Sequence, residues 1–73
     1  MDADVAALTI KFFLAQIREK LEQASSIAKA ADACAVAGNP EKAVEIALGI
    51  EHLTFDAGTL LNAASLLNHI VET

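Results

Sequence analysis

The chain has 73 residues, 55% of them hydrophobic, a formal net charge of −5 and one cysteine. A single domain this small buries too little surface to be comfortably stable alone. Cys34 has no disulfide partner and no cluster of metal ligands stands out, so the apolar excess points to oligomerisation, with no cofactor expected.

The first element is read from an apolar ladder: Ile10, Leu14, Ile17, Leu21, Ala24, Ala28, Ala31, Ala35. Its steps alternate three and four, the spacing of a helix seam packed on a partner helix. Asp2 or Asp4 can cap its start, and no glycine or proline interrupts it before Gly38. The spacing predicts a helix over about 4–37.

Gly38-Asn39-Pro40 then stops and restarts the helix within three residues. Glycine suits the positive φ of a helix C-terminus, asparagine is a good N-cap, and proline is favoured at the first helical position. The turn is placed at 38–39, and so short a link makes the flanking helices antiparallel neighbours.

The second ladder is Ala43, Ile46, Ile50, Leu53, Ala57, Leu60, Ala64, Leu67, Val71, which predicts a helix over about 40–72. Each helix would be about 50 Å long. Thr54-Phe55-Asp56-Ala57-Gly58 carries an N-cap candidate and a helix-weakening glycine, so a bend or break at 54–58 stays open. The register maintained through Leu53, Ala57 and Leu60 favours continuity. The fold expected is all-α: one antiparallel two-helix hairpin domain, dimerising into a four-helix bundle. Its core and dimer seam would be Ile10, Phe13, Leu14, Ile17, Leu21, Ile46, Ile50, Leu53, Leu60 and Leu67.

Charge is uneven, net −1 over residues 1–37 and −4 over 38–73. Phosphate backbones are bound by clustered Lys and Arg, so the second helix is a poor nucleic-acid surface. Lys11 and Arg18 share one face of the first helix, and pairing with acidic neighbours explains them better than an RNA- or DNA-contacting strip. Ala57 to Val71 lacks charge but is shorter than the roughly 20 residues of a membrane span. Asp2 and Asp4 stand where a secretory signal would be basic, and a lone cysteine suits a reducing compartment. A cytoplasmic location is expected, with no membrane contact.

Catalysis has no foothold in the pattern. His52 and His69 are far apart without a carboxylate at metal-site spacing, Ser25 and Ser26 lack an activating base, and no glycine-rich phosphate loop occurs. Cys34 reads as an inert thiol beside the alanine seam. What the seam leaves over is apolar: Val44, Leu48, Phe55 and Leu66 on the second helix, with Leu61 also off the seam, and Phe12, Phe13, Ile27 and Cys34 widening the face of the first. A helix apolar on more than one side is normally buried on more than one side. Val44, Leu48, Phe55 and Leu66 are the expected protein-binding surface.

Ala31, Gly38, Ala43 and Ala47 approach the small-residue spacing of a tetratricopeptide unit, but Phe55 replaces its later proline and no second copy follows. Leu21-Glu22-Gln23-Ala24-Ser25-Ser26, the alanine-rich helix, the short turn and Leu60-Leu61-Asn62 together resemble small bacterial two-helix proteins of unknown function. The plan is also similar to phage and bacterial anti-activators, helical hairpins that dimerise and block a transcriptional regulator. The resemblance covers residues 20–68. It implies a non-enzymatic regulator or adaptor that occupies another protein's surface. Two other expectations remain: a structural subunit of a larger assembly, and a dimeric RNA- or DNA-binding hairpin.

Overall fold

A computed structural model describes residues 2–72, with side chains described through residue 70. Val71, the last rung of the second ladder, therefore has its side chain outside the described residues. The protein is all-α: α1 spans Ala3–Val36, α2 Pro40–Ala47 and α3 Ile50–Glu72, with no strand among the described residues. It is a rod measuring 54 × 14 × 12 Å.

α1 starts where Asp2 Oδ1 accepts a hydrogen bond from the Asp4 amide at 2.9 Å, which satisfies one of the first turn's orphan donors. At the other end Asn39 N–H donates to the Cys34 carbonyl at 3.1 Å and Gly38 N–H to that of Ala35 at 3.0 Å. This is a Schellman closure, and Gly38 occupies its left-handed position with φ +97. Asn39 Oδ1 then accepts from the Lys42 amide and caps α2, with Pro40 at its start.

The return arm, α2 and α3 together, runs back beside α1. Lys20 Nζ meets Asp56 Oδ2 at 3.8 Å, and Ile27 Cδ1 lies 3.6 Å from where a Cβ on Gly49 would sit. Both pairs have residue numbers adding to 76, so the two arms are antiparallel with a fixed register.

The interruption of the second helix falls at Leu48-Gly49, not at 54–58, where α3 is unbroken. Gly49 N–H reaches the Ile46 carbonyl and Glu51 N–H that of Leu48, both three residues back. These are tightened, 3₁₀-type bonds. Gly49 permits it: an added Cβ would approach the Ile46 carbonyl to 3.3 Å. The ladder passes through the interruption without slipping, because Ala43, Ile46, Ile50 and Leu53 all remain buried or half-buried.

On α1 the seam is offset from the expected ladder at alternate steps. Ile10, Ile17, Ala24 and Ala31 face the arm as expected, but the other rail is Ala6, Phe13, Lys20, Ile27 and Cys34. Leu14 and Leu21 are 50% and 48% exposed on the seam's flank, and Ala28 and Ala35 are exposed with them. A heptad ladder read from Ile10 can step to 13 or to 14 with equal periodicity. Near the turn, Ile27 and Cys34 offer more apolar surface than Ala28 and Ala35. A straight helix carries that choice to the far end, where Phe13 enters the seam and Leu14 leaves it.

Two glycines test this backbone account. Gly38→Ala places a Cβ at positive φ and should lower stability by about 1–2 kcal/mol. Gly58 lies inside α3 with open space around it, so Gly58→Ala should raise stability by about 0.4–1 kcal/mol. Thermal unfolding at one fixed protein concentration reads both.

Candidate interaction surfaces

The buried residues among those described are Ala6, Ala24, Ala31, Ala43, Leu53, Ala57 and Ala64. Six of the seven are alanines, each contributing a single methyl to the contact between the arms. Meanwhile twelve large apolar side chains among the described residues stand exposed, from Ile70 at 46% to Val36 at 81%. The chemistry of this protein's surface is therefore apolar, and the question is how those side chains are grouped.

Val44, Leu48, Phe55 and Leu66, the expected partner-binding set, are 61%, 56%, 74% and 61% exposed. They fall on the outward side of the arm, away from the seam residues, as helical spacing from Leu53 and Ala57 requires. Leu48 sits at the Leu48-Gly49 interruption. Leu48 and Phe55 are separated by about 10 Å along the axis and Phe55 and Leu66 by about 16 Å. The four are thus spaced anchors along one side and do not form a joined patch.

A second grouping escaped the sequence reading. One flank of the seam on α1 is Ala7, Leu14, Leu21, Ala28 and Ala35, a strict seven-residue repeat of exposed apolar residues. In an antiparallel pair the residues that follow the seam on each helix share a side. Ala47 and Leu61 from the arm therefore lie beside that rail, with the polar Thr54 between them and Asn68 beyond, and Leu61 is level with Leu14 in the observed register. The opposite flank is polar through Thr9, Gln16 and Gln23, with Asp56 on the arm, and becomes apolar only toward the open end at Phe12 and Leu66.

The remaining seam residues, Ile10, Phe13, Ile17, Ile46, Ile50, Leu60 and Leu67, are half-buried, and Leu53 is buried. Lys20 is the polar member of the seam, its side chain 28% exposed. Its aliphatic stem lies between the arms while the ammonium reaches out to Asp56, the snorkelling arrangement. Arg18 pairs with Glu22 at 3.4 Å and Lys42 with Glu45 at 3.4 Å, both exposed. Exposed pairs of this kind are worth at most about 1 kcal/mol.

Cys34 is half-buried and its Sγ donates weakly to the Asn39 carbonyl at 3.5 Å. The Ser26 hydroxyl donates to the Glu22 carbonyl on its own helix. His52 and His69 lie exposed on α3, and no group of three His, Cys, Asp or Glu among the described residues is placed to hold a metal. Nor is any helix of the described residues long and apolar enough to cross a membrane. Comparison with family models, curated proteins and solved structures finds no match to this chain.

The seam lysine provides a test of these assignments. Lys20→Met keeps the stem and loses the ion pair, so stability should change by less than about 1 kcal/mol. Lys20→Asp sets a carboxylate against Asp56 inside the seam and should cost more than about 1 kcal/mol, read by chemical denaturation at one protein concentration.

Proposed function

We propose that this protein is a non-enzymatic interaction module of the cytoplasm: a helical hairpin that pairs with a second copy into a four-helix bundle and binds a protein partner. The supporting observation is the mismatch between a core of six alanines and one leucine and the twelve large apolar side chains left outside. Burying apolar surface contributes about 25 cal/mol per Å², and the lone chain forgoes part of that gain. Association supplies it.

In this reading the two sides of the molecule have separate tasks. The seam and its apolar flank hold copies together, while Val44, Leu48, Phe55 and Leu66 are left on the outside for another protein. Side chains spaced along one side of a helix suit a partner that lies lengthwise against it, as in helix-in-groove recognition. By occupying such a surface the protein would act as a regulator or adaptor. A nucleic-acid reading draws less support: Arg18 is engaged with Glu22 and the net charge is −5.

A structural subunit is the second reading, favoured by apolar residues on more than one side, such as Phe12 and Phe55. It predicts oligomers that grow with concentration, whereas the dimer reading predicts a species that stops at two.

Phe55→Asp separates the tasks. The variant should stay helical and dimeric by circular dichroism and sedimentation. It should also lose, by tenfold or more, the partner that the wild-type chain captures in its native host extract. If Phe55→Asp dissociates the dimer instead, the outward stripe is structural and the partner site lies elsewhere.

A further inference from the structure

The flank formed by Leu14 and Leu21 on α1 and Leu61 on the arm has a specific occupant. We infer that a second copy of this chain covers it with its ends reversed, the two-fold axis crossing the helices at the level of Leu21. The inference rests on the self-association proposed above and adds its face and direction.

Area comes first. A compact protein of 7.6 kDa exposes about 4,300 Å², whereas this chain exposes 5175 Å². The excess, about 900 Å², matches the roughly 800 Å² per partner that a stable interface of standard size buries. One face covered by one further copy brings the molecule to the ordinary exposure of a folded protein.

Side-chain size then sets the direction. Along the flank, Leu14, Leu21 and Leu61 occupy the middle and the open half, Ala28, Ala35 and Ala47 lie toward the turn, and Ala7 lies beyond Leu14 at the open end. With ends reversed about Leu21, Leu14 of one copy lies over Ala28 of the other. Leu61 comes over Ala47 within one helical turn, and Leu21 meets its own counterpart. Leu14 and Leu61 each meet a small residue, Leu21 packs on its own counterpart at the axis, and Ala7 falls opposite Ala35. With turns at the same end, Leu14 would stack on Leu61 and Ala28 on Ala47, wedging the copies apart at the leucine end.

Charge agrees. Lys11, Arg18, Ser25 and Asp32 form the row just beyond the flank on α1, one heptad apart. Reversal about Leu21 sets Lys11 against Asp32 of the second copy, and symmetry repeats the pair. Glu51 then faces Gly58. In the same-end arrangement Lys11 would face Ser65, Asp32 would face Val44, and no opposite charges would meet.

The test uses the full chain. In sedimentation equilibrium, Leu21→Glu should weaken the dimer by about a hundredfold or more, because the substituted position meets itself across the axis. Phe55→Asp, on the outward side, should change it by less than about threefold. Should Leu21→Glu fail to fold, a variant that stays apolar in size decides. In a Cys34→Ser background, Leu21→Cys should form an intermolecular disulfide under mild oxidation, well above the collision level set by outward-facing Ala15→Cys. Chains bearing Leu14→Cys should likewise link to chains bearing Ala28→Cys.

A dimer indifferent to Leu21→Glu overturns the face while leaving self-association standing. Linkage of Leu14→Cys chains to Leu61→Cys chains in place of Leu21 to itself overturns the direction. A wild-type chain that sediments as a folded monomer at 100 micromolar, on the order of the highest concentration at which such association matters, overturns the self-association on which both depend.

Discussion

The two arms of this molecule touch chiefly through methyl groups. Alanine at Ala6, Ala24, Ala31, Ala43, Ala57 and Ala64 brings the backbones close together, and interaxial distance follows the size of the residues at the contact. Among the larger seam residues only Leu53 is then buried. Most leucines, isoleucines and phenylalanines must then stand at the sides, half-covered or exposed. The same choice that lets the arms meet thus determines that the surface is apolar, and the rest of the structure follows from it.

The reversal of the chain works to the same end. With Gly38 at φ +97 and Asn39 capping the next helix, no residues are spent on a loop that could fold over the exposed side chains. Among the described residues no segment lies across the flanks. A longer connection could have laid a segment across Leu14 or Leu61.

Much of this was legible in the residues and some was not. The stop and restart at Gly38-Asn39-Pro40 is local chemistry, so its place could be read directly, and every described rung of the second ladder lies in the contact. The first ladder was ambiguous because stepping from Ile10 to Phe13 or to Leu14 gives the same period. Only the packing against the arm, through Ile27 near Gly49, decides between the two. Lys20 was missed for a related reason: a charge in the seam contradicts the apolar pattern, and only its reach to Asp56 reconciles them. The sequence favours a continuous second helix and leaves a bend or break open only at 54–58, whereas the interruption falls at Leu48-Gly49. Both glycines, Gly49 and Gly58, weaken a helix equally in isolation, and the difference lies in the Ile46 carbonyl, which an added Cβ at Gly49 would approach to 3.3 Å, while Gly58 stands in open space. The exposed set Val44, Leu48, Phe55 and Leu66 was legible from the helical wheel. The continuous flank of Leu14 and Leu21 was hidden inside the ladder meant to be the core.

Lys20 and Asp56 carry a consequence for uniqueness. A seam that repeats every seven residues and is lined with alanine looks nearly the same after sliding by one repeat, so close packing alone would tolerate several alignments. Sliding α1 by a heptad would bring Phe13 or Ile27 to the level of Asp56 and leave the ammonium between apolar walls without its counter-charge. The ion pair adds little attraction, yet it makes the wrong alignments costly. The turn at Gly38-Asn39 holds the same alignment, so link and ion pair agree on a single register.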